Sequence, residues 1–318
     1  MNSVIKKVPI PIAGLILALA AAGNLVFSYG SLYKNIFGTL SAFLLILLVI
    51  KIWVMPKSLG EGFDNPVIAS VMPTFFMGLM ILSTYIKVHF PLAAYGLWLL
   101  ALIMHGVFMI YFTKKYILNF HIQKVFPSYF IVYVGIVCGS VTAPAFGLAN
   151  VGQLIFWFGL GAYFLLLPLV IYRVLVMKEI PEPAIPTITI FAAPASLCLA
   201  GYLNSFQEKS MGMIMLLSIL SLFMFISVML YIPKMLKLKF YPSYSAFTFP
   251  FVITAIAMKG TAAFLANAGK TSPFLGYFIK FLELWAILMV LYVLIRYMAF
   301  MLSNPAPVGS IKKDAHSS

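Results

Sequence analysis

The chain has 318 residues, 63% of them apolar and only 9% charged, with a mean hydropathy of +1.06. Soluble domains carry about 25% charged residues, so a water-soluble globular protein is excluded. The net charge of +14, from 21 Lys and Arg against 7 Asp and Glu, sits in the segments between apolar runs rather than in one basic stripe, which argues against a nucleic-acid partner.

A hydrocarbon core about 30 Å thick is crossed by roughly 18 or more apolar residues at 1.5 Å per helical residue. In chain order such runs fall at 10–29, 36–54, 66–86, 91–113, 126–147, 150–176, 185–204, 210–233, 244–268 and 274–302. They predict an all-α polytopic membrane protein of ten crossings, with 1–302 as one transmembrane domain. Lys6 and Lys7 before the first run resemble the start of a signal sequence, yet the many later spans favour a retained first helix. The segment 303–318, with Pro305, Pro307, Gly309 and a polar end, is expected to be a disordered cytoplasmic tail.

With the N-terminus inside, fifteen Lys and Arg fall on the inner side and four on the outer, while Lys259 and Lys280 lie within spans. Cations near helix ends are retained on the cytoplasmic side, so both termini are predicted to be cytoplasmic, in an inner (plasma) membrane. Prolines mark a repeat: Pro9, Pro66, Pro127, Pro186 and Pro242 stand near the starts of the odd spans, 57, 61, 59 and 56 residues apart. The chain therefore reads as five tandem helical hairpins.

A second proline follows in three odd spans, at Pro73, Pro194 and Pro250, seven or eight residues on and so about 12 Å deeper, near the midplane. The fifth span has Gly135 there, and the first has the nearer Gly14. A break at this depth is tolerated where neighbours or water satisfy the freed carbonyls. The even spans lack such pairs of markers, Pro168 being isolated, so odd helices are expected to form an inner ring around a central passage.

Ionisable residues within the spans are few. Glu283 is the one acid clearly inside a span, three residues from Lys280, a spacing that predicts a pair on one helical face. His89, His105, His121 and His316 show no zinc-type spacing, and Cys138 and Cys198 read as small buried hydrophobes. There is no Walker loop, paired-carboxylate site or nucleophile elbow, so neither an enzyme nor a cofactor is expected. Asp64, His121, Glu179 and Glu182, the polar candidates on the inner loops, read as solvated loop charges.

The inner helices carry no acid, and their one basic residue is Lys259, about 13 Å outward of Pro250, a candidate for an outer vestibule. An apolar lining with cationic mouths costs an anion less than a cation. Lacking fixed donors to replace a hydration shell, such a pore favours easily dehydrated monovalent anions.

Ser245-Ala246-Phe247-Thr248-Phe249-Pro250-Phe251, with the small run Thr254 to Ala257, resembles the ninth helix of the slow-anion-channel and tellurite-resistance/dicarboxylate-transporter family. Ala192-Ala193-Pro194-Ala195, Cys198 and Ala200-Gly201-Tyr202-Leu203 are also similar to that family; Pro127-Ser128-Tyr129-Phe130 and Pro73 are compatible with it. The resemblance implies a quasi-fivefold bundle of hairpins, odd helices around a pore, a homotrimer with one pore per subunit, and an aromatic plug, here Phe249. Its partners would be the lipid bilayer and small inorganic anions or carboxylates. The leading reading is a passive anion channel or channel-like exporter; the alternative is a secondary transporter of C4-dicarboxylates or tellurite-type oxyanions. Against tight carboxylate recognition, Arg173 and Arg296 both lie on even spans near the inner face.

Overall fold

The computed structural model describes residues 2–303, so the expectation for 303–318 lies, Ser303 apart, outside the described residues. Among the described residues there is no strand, and nine helices are long and apolar enough to cross a membrane. In chain order these are α1 (Ile12–Tyr29), α2 (Ser31–Val54), α3 (Pro66–Ile86), α4 (Pro91–Ile117), α6 (Ala149–Met177), α7 (Glu182–Ser205), α8 (Met211–Met235), α9 (Pro242–Asn267) and α10 (Pro273–Leu302), and between α4 and α6 lies a shorter apolar helix, α5 (Val137–Phe146).

The fifth apolar stretch departs from expectation. Instead of one helix over 126–147, a short helix Tyr129–Tyr133 is followed by a break and then α5. Gly135 is the cause: its N–H reaches back five residues to Phe130 O at 3.1 Å, and a Cβ there would stand 2.1 Å from Ile131 O and 2.8 Å from Met77 Sδ. Only a residue without a side chain allows the chain to turn this tightly against α3.

The midplane prolines also act differently from a kink in a continuous helix. Pro73 opens the helical segment Pro73–Ile86, while Pro194 and Pro250 sit in the first turns of Ala193–Ser205 and Phe249–Asn267. At those positions the missing N–H has no helical acceptor anyway and φ is already set. The N-terminal part of α7 is a 3-10 helix, Glu182–Ala192, and that of α9 is another, Pro242–Phe247. Pro186 thus lies inside a 3-10 segment that begins at Glu182, rather than at a helix start.

Hydroxyls add side-chain hydrogen bonds to carbonyls at these junctions. Thr248 Oγ1 donates to Ser245 O at 2.6 Å, Ser196 Oγ to Ala192 O at 2.7 Å, and Thr254 Oγ1 to Pro250 O at 2.8 Å. A broken helix persists in an apolar medium only when such partners exist.

Burial separates the segments into two classes. In the most apolar stretches of α1, α3, α7 and α9, 56–89% of residues are buried, against 28–39% in α2, α4, α6, α8 and α10. α1 packs on α3, α3 on α5, α5 on α7, α7 on α9, and α9 returns to α1. The last contact is close, because a Cβ on Gly14 would come within 3.0 Å of Ser245. The even-numbered helices lie outside and turn large apolar side chains such as Leu165, Leu230 and Ile295 outward.

Candidate functional site

A cavity of about 40 Å³ lies where the inner segments meet at their breaks. At roughly 10–15 Å³ per water it holds about three. Its wall comprises Gly14 of α1, Val71, Thr74 and Met77 of α3, Phe130, Ile131, Val134 and Gly135 around the break before α5, Ile190, Ala193, Pro194 and Leu197 of α7, and Ser245, Ala246, Phe249 and Pro250 of α9. No even-numbered helix contributes to this wall. Thr74 and Ser245 bring the sole hydroxyls, and Thr74 Oγ1 already donates to Val71 O at 2.7 Å.

The sequence-derived residues Gly14, Gly135, Pro194, Phe249 and Pro250 therefore come together, though they are spread over more than 230 positions. Pro73 is not part of the wall; its neighbours Val71 and Thr74 are. Phe249 is 6% exposed and begins the α-helical part of α9, between Thr248 and Pro250. Phe130 is a second ring in the wall that sequence reasoning missed, packed 5.8 Å from the ring of Phe191 and 6.0 Å from that of Tyr163.

A signal for the missed residues exists in the proline repeat. Counted from Pro66, Pro127, Pro186 and Pro242, the wall residues recur at three to five, seven or eight, and eleven positions on: Thr74, Phe130, Gly135, Ile190, Pro194, Leu197, Ser245, Phe249 and Pro250. Those offsets describe one helical face.

Lys259 lies ten residues beyond Phe249 along α9. Its Nζ lies 2.5 Å from Glu283 Oε1, and also donates to Ser28 Oγ at 2.7 Å and Leu25 O at 3.2 Å. Tyr29 Oη donates to Glu283 Oε2 at 2.6 Å. The expected pair of Glu283 with Lys280 is thus corrected: α10 turns Glu283 inward, where it is buried, and leaves Lys280 exposed. The cluster ties α1, α9 and α10 together.

A larger cavity of about 750 Å³ opens at the other end, toward the N-terminal residues. Lys6, Lys7 and Lys51 line it against the single acid Glu61, and Val71 belongs to both this vestibule and the central cavity. Lys51 is 6% exposed and donates to Lys6 O at 2.7 Å, and among the described residues no carboxylate is bound to it. In the sequence these lysines inform only orientation, because they come from separate elements.

The remaining polar groups are engaged elsewhere. Arg173 is buried, stacked 5.9 Å from the Phe126 ring, and donates to Glu179 O at 2.6 Å. His105 Nε2 lies 3.0 Å from Val132 O and fixes α4 against the short helix Tyr129–Tyr133. Asp64 pairs with Lys115 at 2.6 Å, Glu182 accepts from Tyr241 Oη at 2.7 Å, and both cysteines are buried and unpaired. Among the described residues no three His, Cys, Asp or Glu come together as a metal site.

No curated protein matches the chain. A family model described as Voltage-dependent anion channel matches residues 9–298, from the first proline of the repeat almost to the end of α10. Members of that family are channels or transporters of anions rather than enzymes, and a closed ring of apolar helices around a carboxylate-free cavity is consistent with that chemistry. The chain is a membrane protein of the voltage-dependent anion channel family, the slow-anion-channel group that its ninth and seventh helices resemble.

Proposed function

We propose that this protein is a passive anion channel of the inner membrane, built as ten crossings in five hairpins around a pore that Phe249 closes. The observation that carries this reading is the lining of the central cavity by five successive inner segments and by none of the outer ones. Much of the remaining wall is small or aliphatic, including Thr74, Val134, Gly135, Ala193 and Pro194. Phe249 supplies an aromatic ring from the start of the α-helical part of α9, with Phe130 in the same wall, and a phenyl group in an apolar throat excludes water.

An anion entering from the N-terminal side meets Lys6, Lys7 and Lys51. Cationic walls raise its local concentration and disfavour cations. Beyond Val71 the passage narrows and the anion sheds water without a replacement shell, so large, weakly hydrated monovalent anions pass with the least cost. Opening requires the Phe249 ring to leave the throat, by a rotamer change or by flexing of α9 at the Thr248–Pro250 junction. At the far end Lys259 stands at an outer vestibule with its charge offset by Glu283. Positive-inside orientation puts both termini in the cytoplasm, and a homotrimer would carry one such pore per subunit.

The test is anion flux into liposomes. Phe249→Ala should raise chloride and nitrate flux several-fold over wild type at equal amounts of folded protein; unchanged flux would remove Phe249 from the gate. A carrier of C4-dicarboxylates or tellurite-type oxyanions would need a cationic fork at the throat. Arg173 is instead held by backbone carbonyls and Arg296 lies against the Tyr244 ring at 5.6 Å, which favours the channel.

A further inference from the structure

Between α6 and α8 the outer surface is cut by a groove of about 660 Å³, in the range of about 300–1,000 Å³ that encloses small ligands. Its sides are Ile171, Val174 and Leu175 of α6 and Phe223, Val228 and Tyr231 of α8. Its floor is the 3-10 half of α7, through Ile185, Ile188 and Phe191. The wall is apolar over most of its length and becomes basic at one end only, at Lys178 and Lys234.

Both lysines stand at the same membrane face, since α6 and α8 run in the same direction and each ends there. From Lys234 to Phe223 is eleven residues, about 16 Å at 1.5 Å per residue, close to half of a 30 Å hydrocarbon core. No acid lines the groove, and among the described residues neither lysine enters an ion pair. Glu179, the nearest acid in sequence, is exposed outside the wall, and Glu182 is bound by Tyr241. Lysines at helix C-termini gain from the helix dipole, which explains each alone. It does not explain an acyl-chain-length apolar cleft ending at the pair.

We propose that this groove is a binding site for an anionic phospholipid of the inner leaflet, with its phosphate between Lys178 and Lys234 and one acyl chain along α7. Basic pockets between membrane helices recognise anionic headgroups in this way. The occupant would press on the back of the cavity wall, because Phe191 in the groove floor packs on Phe130 in the cavity.

The experiment is native mass spectrometry of the purified full chain after exchange into mixed micelles of phosphatidylglycerol and phosphatidylcholine, a readout independent of transport. Wild type should retain phosphatidylglycerol about tenfold over phosphatidylcholine. Lys178→Gln with Lys234→Gln should abolish the preference, and Ser227→Trp, which fills the groove but keeps both charges, should do the same. Lys237→Gln, two residues beyond the end of α8 and outside the wall, should leave it intact. Equal retention of the two lipids by wild type, or a preference that survives both the double substitution and Ser227→Trp, would overturn the site.

Discussion

Gly135 and Phe249 border one small cavity and contribute to it in opposite ways. Gly135 supplies an absence: a methyl group there would collide with Ile131 O, so Gly135→Ala should destabilise the protein by about 1–3 kcal/mol, read as a lower melting temperature in detergent. Phe249 supplies a ring, and its removal should raise flux while leaving the fold intact. Gly135 is legible in the sequence only as a gap in the proline series; its contact with Met77 Sδ is a tertiary fact. Glu283 shows the same limit. Spacing along one helix offers Lys280 as its partner, but burial decides for Lys259, because a carboxylate turned inward needs a cation that is also inside. Lys259→Met should lower stability by about 2 kcal/mol, less than the 3–5 kcal/mol of a fully buried pair because the lysine side chain is 35% exposed. Adding Glu283→Gln should recover most of that loss, measured by thermal melts of the single and double variants.

At the scale of single elements, proline spacing marks both the repeat and the breaks. What it leaves open is the form of each break. Pro194 and Pro250 stand in the first turns of new α-helical segments after 3-10 stretches, and the turn at Gly135 splits the fifth apolar stretch. Hydroxyls at the breaks, those of Ser196, Thr248 and Thr254, add bonds to nearby carbonyls, and Thr254 also reaches Ala192 O of the neighbouring helix. Thr254→Val should therefore cost about 1 kcal/mol or more, since Thr254 Oγ1 serves both Pro250 O and Ala192 O, at 2.8 and 3.2 Å. A matched drop in melting temperature without loss of flux selectivity would mark it as structural support for α9.

For the whole molecule, the decisive arrangement is the closed sequence of contacts from α1 through α9 back to α1, with the basic vestibule at one end. Neutralising Lys6, Lys7 and Lys51 together by Gln should lower the anion-to-cation permeability ratio measured from reversal potentials. The effect should be largest at low ionic strength, because screening lengths fall from about 30 Å at 0.01 M to about 10 Å at 0.1 M. A ratio unchanged at low salt would separate the vestibule from selectivity.

The amino-acid sequence alone determined that the chain lives in a membrane, where its apolar segments fall, the proline period that groups them, and the near absence of charge on the inner ones. Those properties are local, set by hydropathy and by residues that lack a side chain or an N–H. Tertiary structure decided which segment breaks rather than bends, that Phe130 joins Phe249 at the cavity, that Lys259 belongs to Glu283, and that lysines from separate elements meet in one vestibule. Each of these depends on distances between parts of the chain remote in sequence, and only the packing of helices against one another sets them.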